Sequence, residues 1–288
     1  MPQDTSTFQY LLYAIIGANL IFSFLGFNNR TLFDSYKFHV GSILDRKQFY
    51  RMISSAFLHG DFMHLAFNMY TLYIFAPILQ FHITTVEFSI LYFACLLIGN
   101  ILPLYFNRHN KHYSAIGASG AVSGVIYASV LFYPDLQLYL FFAIPIKSWI
   151  FGILYLLYTM YSIRQKNDNI GHEAHLGGAV MGLIIAYILA PELVMKNWWV
   201  AALLFTPTII FFLILWKKPE WLNSSSPRTP FKARNIGTAR SKRSIDDLYY
   251  NAEWEREKEL NRLLEKINQN GIESLSANEK QRLKELSK

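Results

Sequence analysis

Gly171-His172-Glu173-Ala174-His175-Leu176-Gly177-Gly178-Ala179-Val180-Met181-Gly182 opens an apolar run that continues to residue 190. A run of that length suits a helix crossing about 30 Å of hydrocarbon. Its head is polar, with two histidines, and glycines stand four apart at 178 and 182. Such small-xxx-small spacing lets two helix backbones approach closely where lipid supplies no hydrophobic drive. Polar side chains inside hydrocarbon cost roughly several kcal/mol unless partnered, so they need partners and often mark function.

Working outward, comparable apolar segments lie near 62–81, 86–106, 117–133 and 148–163, with others near 8–27 and 198–216. The run at 8–27 lacks the basic start and short core of a cleaved signal. The run at 198–216 is bounded by Trp198-Trp199 and Trp216-Lys217-Lys218, an aromatic belt and a basic stop. The hydrophobic stretch Pro134–Lys147 is expected to re-enter the bilayer in part. The connection between the first two segments carries Phe33, Tyr36, Phe38, Phe49 and Tyr50 and reads as loop or short helices in the interface.

Composition separates this oily part from the rest. Residues 1–216 hold 11 Lys+Arg and 9 Asp+Glu, whereas the 72 residues after them hold 16 and 11. The mean hydropathy of +0.19 averages the two. With 52% hydrophobic residues and one cysteine, Cys95, the chain is neither disordered, collagenous nor a disulfide scaffold. The net charge of +7 is concentrated in 217–244, where eight Lys/Arg face one acid, Glu220. Beside a membrane segment such a run anchors topology or meets anionic lipid headgroups. Without interleaved aromatics or a binding motif it does not read as a nucleic-acid surface. Asn223–Pro230 is linker chemistry. Residues 246–268 form an amphipathic pattern with Leu260, Leu263, Leu264 and Ile267 on one face, and Ser276 with Glu279 makes a capping box for a last helix. This soluble helical hairpin is either an accessory module or a partner-binding or dimerising element. The domain reading is a membrane core over 1–190, an additional transmembrane helix over 191–218, a basic linker over 219–245 and the hairpin over 246–288.

Two more polar clusters match the one at 171–182. The second apolar segment starts His59-Gly60-Asp61-Phe62-Met63-His64-Leu65-Ala66-Phe67-Asn68, with His64 and Asn68 one turn apart on one face. His59 and Asp61 read as interfacial residues capping the helix start. The fourth segment starts Gly117-Ala118-Ser119-Gly120-Ala121-Val122-Ser123-Gly124, where Gly117, Gly120 and Gly124 read as helix-packing glycines, the last two at small-xxx-small spacing, and Ser119 taken alone is simply another small residue. Segments two, four and six run in the same direction, so the three clusters lie at one side of the membrane. Close packing of four and six would let Ser119 and His175 meet, with His64 and Asn68 as nearby donors. Nucleophile, general base and side-chain donors are the parts of acyl-transfer chemistry.

Taken together, His64-Leu-Ala-Phe-Asn68, Gly117-Ala-Ser119-Gly120 and Ala174-His175-Leu-Gly-Gly178-Ala-Val-Met-Gly182 resemble the rhomboid intramembrane serine proteases in order, helix assignment and spacing across roughly residues 8–190. The resemblance implies an all-α polytopic membrane protein with a six-helix core. It implies Ser119 as nucleophile and His175 as its base, a dyad without a carboxylate. His64, Asn68 and the backbone N–H of Ser119 would form the oxyanion hole. No metal or cofactor is implied, and the partners would be transmembrane protein substrates within the lipid bilayer. Two positions depart from the family: Tyr50-Arg51 replaces a frequent Trp-Arg, and Ser123 stands where an aromatic often packs on the catalytic histidine. No residue is assigned to brace His175.

Nine Lys/Arg lie in the odd-numbered loops against Lys147 and Lys196 opposite, which by the positive-inside rule puts the active-site mouth in the cytoplasm. The resemblance implies the opposite, a mouth facing outside, and that orientation is adopted, with the bacterial cell membrane as the expected location. Two other functions compete. His59, His64, His172 and His175 are a conceivable zinc set, but His172 and His175 are one residue short of the HExxH spacing. A non-catalytic rhomboid-like protein that binds membrane clients is the alternative within the family, and retention of both Ser119 and His175 argues against it.

Overall fold

Among the described residues, six long helices and one shorter one coincide with the seven apolar segments. The computed structural model describes residues 5–140, 143–165, 170–217, 259–260, 262–267 and 271–286. The helices are α1 (Thr5–Asn28), α2 (Arg30–Tyr36), α3 (Val40–Leu44), α4 (Arg51–Ser54), α5 (Phe62–Leu79), α6 (Thr85–Phe106), α7 (Ser119–Phe132), α8 (Ser148–Gln165), α9 (His172–Leu189), α10 (Pro191–Lys196) and α11 (Trp198–Lys217). Local chemistry sets their ends. The Asp61 carboxylate caps α5 by accepting from His64 N–H at 2.8 Å. Thr84 and Glu87 form a capping box that opens α6. Pro191 at the first position of α10 follows the last residues of α9.

Among the described residues, α1, α5, α6, α9 and α11 are long and apolar enough to cross a bilayer. The protein is thus an all-α polytopic membrane protein. α7 differs from the segment expected over 117–133: it has 14 residues, so it rises about 21 Å, less than the hydrocarbon thickness. Every residue from Gly120 to Phe132 is buried. A helix sheathed by α5, α6, α8 and α9 meets protein instead of lipid and need not match the bilayer. Its N-terminus therefore starts within the bundle, and that is where Ser119 sits.

The connection after α1 holds the short helices α2, α3 and α4, and among the described residues two short two-stranded sheets lie in the connections. Strand β1 (Phe38–His39) pairs antiparallel with β2 (Ser114–Ala115), placing Phe38 opposite Ala115. This ties the connection after α1 to the turn that delivers Ser119. In the same connection Arg51 is buried and its guanidinium donates to the carbonyl oxygens of Asp34 and Lys37 and to the Gln48 side chain. Pro134–Lys147 was expected to dip into the bilayer. It contains an antiparallel hairpin, β3 (Gln137–Leu140) with β4 (Ile144–Lys147), in which backbone groups pair across the strands.

The chain divides into two compact units, Met1–Asn235 and Ile236–Lys288. In the second, residues 259–260 and 262–267 are helical and a last helix runs Ala277–Leu286. Leu263, Leu275 and Leu286 form its small core, flanked by Leu260, Ile267 and Leu283. The capping box is present: Ser276 N–H donates to Glu279 at 2.9 Å and Glu279 N–H to Ser276 Oγ at 3.3 Å. The Lys266 ammonium, 2.8 Å from Glu279, holds that carboxyl down to about 2, helped by the Ser276 backbone. The basic linker expected over 219–245 and the first part of the helix expected over 246–268 lie outside the described residues.

Candidate active site

Glycines decide how near α7 and α9 come. A Cβ on Gly178 would lie 2.6 Å from the carbonyl carbon of Gly120 and would collide with its oxygen. One on Gly182 would lie 2.6 Å from Gly124 Cα. The two small-xxx-small faces read from the sequence are therefore in mutual contact, backbone against backbone. α6 joins them from a side the sequence reading missed: a Cβ on Gly177 would stand 3.1 Å from Gly99 Cα. The signal was present in Gly99 and in Gly177, which stands beside Gly178.

At the N-terminal ends of this pair, Ser119 Oγ and His175 Nε2 are 2.8 Å apart. Both residues are half-buried. The turn before Ser119 depends on Gly117, whose φ of +116° lies in the region open to glycine. A Cβ there would be 2.9 Å from His64 Nε2 and 3.6 Å from Ser119 Oγ, so the His64 ring and the serine border the same small space. Gly117 N–H donates to Ser55 O at 3.0 Å, holding the turn to the segment after α4.

The hydrogen bonds around His64 set its tautomer. Its Nδ1 accepts from Gly60 N–H at 3.4 Å, which leaves the proton on Nε2, the nitrogen facing Gly117. Asn68 is buried one turn along, and its amide donates to His64 O at 2.9 Å. The four residues singled out from the sequence thus fall into one bonded dyad, Ser119 and His175, and one linked pair on α5, His64 and Asn68.

His59 proves more than a cap. It is fully buried, its Nδ1 is 2.9 Å from Ser23 Oγ on α1, and its Nε2 accepts from Ala118 N–H at 3.4 Å. Ser23 Oγ donates to Phe57 O at 3.0 Å, so it takes its bond from His59 Nδ1–H. A neutral imidazole therefore bridges α1 to the residue just before Ser119. Burial pushes His59 down to about 3, and neighbouring His64 adds to the effect.

Behind His175 lie three more side chains. Tyr155 of α8 places its hydroxyl 3.2 Å from His175 Nδ1, and Ser123 Oγ is 3.1 Å from that hydroxyl. His172 rests edge-on against His175, ring centroids 5.6 Å apart. The histidines of the zinc reading form two pairs, 59 with 64 and 172 with 175. Among the described residues no three His, Cys, Asp or Glu side chains converge on a metal-sized site.

Comparison with known proteins agrees with this architecture. The pattern of the Rhomboid domain family matches residues 46–192, and a family of unknown function, DUF6576, matches residues 243–288. The chain is 31% identical over 148 residues to RHOMBOID-like protein 12, mitochondrial, of Arabidopsis thaliana, covering 46% of this chain and 44% of the relative. It is 27% identical over 143 residues to Rhomboid protein 1, mitochondrial, of Saccharomyces cerevisiae, covering 48% of this chain and 41% of that one. It is 28% identical over 147 residues to a protein of Bacillus subtilis named, provisionally, as the rhomboid protease YdcA, covering 49% and 67%. The matches thus span less than half the length of the first two relatives.

A glycine-packed bundle with this serine and histidine at its mouth defines a class of membrane protein. The chain belongs to the rhomboid family. Two of the relatives are mitochondrial and one is bacterial. They support an integral membrane protein but not the bacterial cell membrane expected from the sequence.

Proposed function

We propose that this protein is an intramembrane serine protease that hydrolyses peptide bonds in or near the transmembrane segments of other membrane proteins. The observation that carries the reading is the 2.8 Å contact between Ser119 Oγ and His175 Nε2 at the N-terminal end of α7. With its lone pair on Nε2, His175 takes the hydroxyl proton as Ser119 Oγ attacks the substrate carbonyl carbon. Negative charge then develops on the carbonyl oxygen. Three donors suit it: the first-turn N–H of Ser119, which has no partner within its helix, Nε2–H of His64, and the Asn68 amide. The N-terminal end of the α7 dipole favours the same charge. As the tetrahedral species collapses, the C–N bond breaks, His175 gives its proton to the departing amine, and the acyl group stays on Ser119. Water, deprotonated by His175, cleaves the ester and restores the serine.

Residues 1–190 would carry this chemistry as the six-helix core, with α11 an addition. The test is labelling by a fluorophosphonate, located by peptide mass spectrometry. Label on Ser119, absent from Ser119→Ala and strongly slowed in His175→Ala, is expected. A Ser119 that stays unlabelled in folded protein would favour the non-catalytic client-binding alternative.

A further inference from the structure

In this chain the position four residues after Ser119 is a serine, too small to pack on His175. The space is filled from another helix. Tyr155 lies on α8, and its ring stands 6.1 Å from the His175 ring at an interplanar angle of 41°. Tyr127 of α7 stacks on one side of it at 6.1 Å and 15°, and Phe151 stacks at 5.8 Å and 19°. Tyr127 is fixed in turn, its hydroxyl donating to Gly152 O at 3.0 Å. The Tyr155 ring therefore has little freedom, and its hydroxyl is delivered 3.2 Å from His175 Nδ1 and 3.1 Å from Ser123 Oγ. Ser119, His175, Tyr155 and Ser123 form one continuous hydrogen-bonded chain.

We propose that Tyr155 is the positioning residue of the dyad, accepting a hydrogen bond from His175 Nδ1–H while donating its own proton to Ser123. This rests on the protease reading above. The direction follows from what the base must do. His175 accepts the Ser119 proton only if Nε2 is bare, so the ring proton must sit on Nδ1 and needs an acceptor there. The phenol oxygen is that acceptor, provided its own hydrogen points elsewhere, and Ser123 Oγ takes it. Ser123 thus has a use as a serine: a larger side chain at 123 would displace the hydroxyl of Tyr155. The arrangement gives the dyad a neutral third member where other serine hydrolases place a carboxylate. Once His175 is protonated during attack, the bond from Nδ1–H becomes charge-assisted and strengthens, so its gain falls on the transition state and not on substrate binding.

Tyr155→Phe removes only the oxygen and keeps the ring in its stack. The expected result in purified full-length protein is a kcat per fluorophosphonate-titrated site lowered about tenfold to a hundredfold, the range of a hydrogen bond to a charged group. KM and thermal unfolding should stay close to wild type. Ser123→Ala should lower kcat by a smaller factor, and the double variant should be no worse than Tyr155→Phe, because Ser123 acts only through the phenol. A Tyr155→Phe enzyme with wild-type kcat, or additive losses in the double variant, would overturn the proposal. A separate readout does not need activity: in 15N-histidine protein, with the His175 signal assigned from a His175→Ala spectrum, wild type should show the proton on Nδ1 and Tyr155→Phe should lose that preference. If wild-type protein neither cleaves nor labels, the protease reading fails. The tautomer then decides the placement of Tyr155 alone, and an unchanged His175 signal in Tyr155→Phe would refute it.

Discussion

Gly178→Ala adds one methyl group at the closest point between α7 and α9. The new Cβ would lie 2.6 Å from the Gly120 carbonyl carbon and 3.1 Å from Gly120 Cα. Carbon atoms in a packed interior sit about 3.5–4 Å apart. The Gly120 carbonyl oxygen stands nearer still, so the two helices must part by at least about 1 Å at this level. Ser119 precedes Gly120 by one residue and His175 precedes Gly178 by three, so the same parting is felt at the dyad. Its 2.8 Å contact would open to about 3.8 Å, beyond hydrogen-bonding range. Overpacking of this kind costs about 1–3 kcal/mol of stability. The catalytic loss should be larger than that suggests, about a hundredfold, because misplacement by 1 Å is costly to a reacting pair. The assay is the rate of fluorophosphonate labelling beside a thermal melt in detergent. Gly17→Ala is the control: its Cβ would meet nothing within 4 Å, and both readouts should match wild type. Wild-type labelling by a folded Gly178→Ala protein would refute the claim that this glycine contact sets the dyad distance.

Three further outcomes follow from the same structure. Gly117→Ala forces a φ of +116° on a side chain and pushes a Cβ to 2.9 Å from the His64 ring, so a loss of about 1–3 kcal/mol in unfolding free energy and slower labelling are expected. His59 has its folded pKa depressed to about 3, whereas an unfolded histidine titrates near 6.5; as pH falls from about 6.5 toward 3 the unfolded state gains a proton that the folded state refuses, and stability drops. Melting temperatures between pH 7 and pH 4 should fall more steeply in wild type than in His59→Asn, and equal slopes would contradict this. The orientation adopted from the family puts Asn110 outside; a topology reporter fused there should be active only on the side away from the cytoplasm, and cytoplasmic activity would favour the charge count instead.

Periodicity and polarity made the helices and the dyad legible. Polar residues at three helix starts stand out because hydrocarbon leaves little reason for them except partners or function. Ser119, His175, His64 and Asn68 were reachable in that way, as were the paired glycines 120, 124, 178 and 182. Tyr155 was not. Tyrosines 155, 158 and 161 recur every three residues along α8, and nothing in the sequence says that the first reaches His175 while the second packs on His172. His59 was read as interfacial because a histidine just before a helix usually is. Its buried ring is paired with Ser23, 36 residues earlier, and no local pattern encodes that pairing. The hairpin at 137–147 was hidden because its sequence is apolar without clear alternation. The short length of α7 was hidden because hydropathy cannot tell a lipid-facing helix from one enclosed by other helices.

The decisive measurement for the Ser119–His175 protease is cleavage of a single-span transmembrane substrate by the full-length protein in liposomes, comparing wild type with Ser119→Ala and His175→Ala. Cleavage by wild type and its loss in both variants, with all three equally folded, is the predicted result. Equal cleavage by wild type and Ser119→Ala would contradict it, because Ser119 Oγ is the nucleophile that stands 2.8 Å from His175 Nε2.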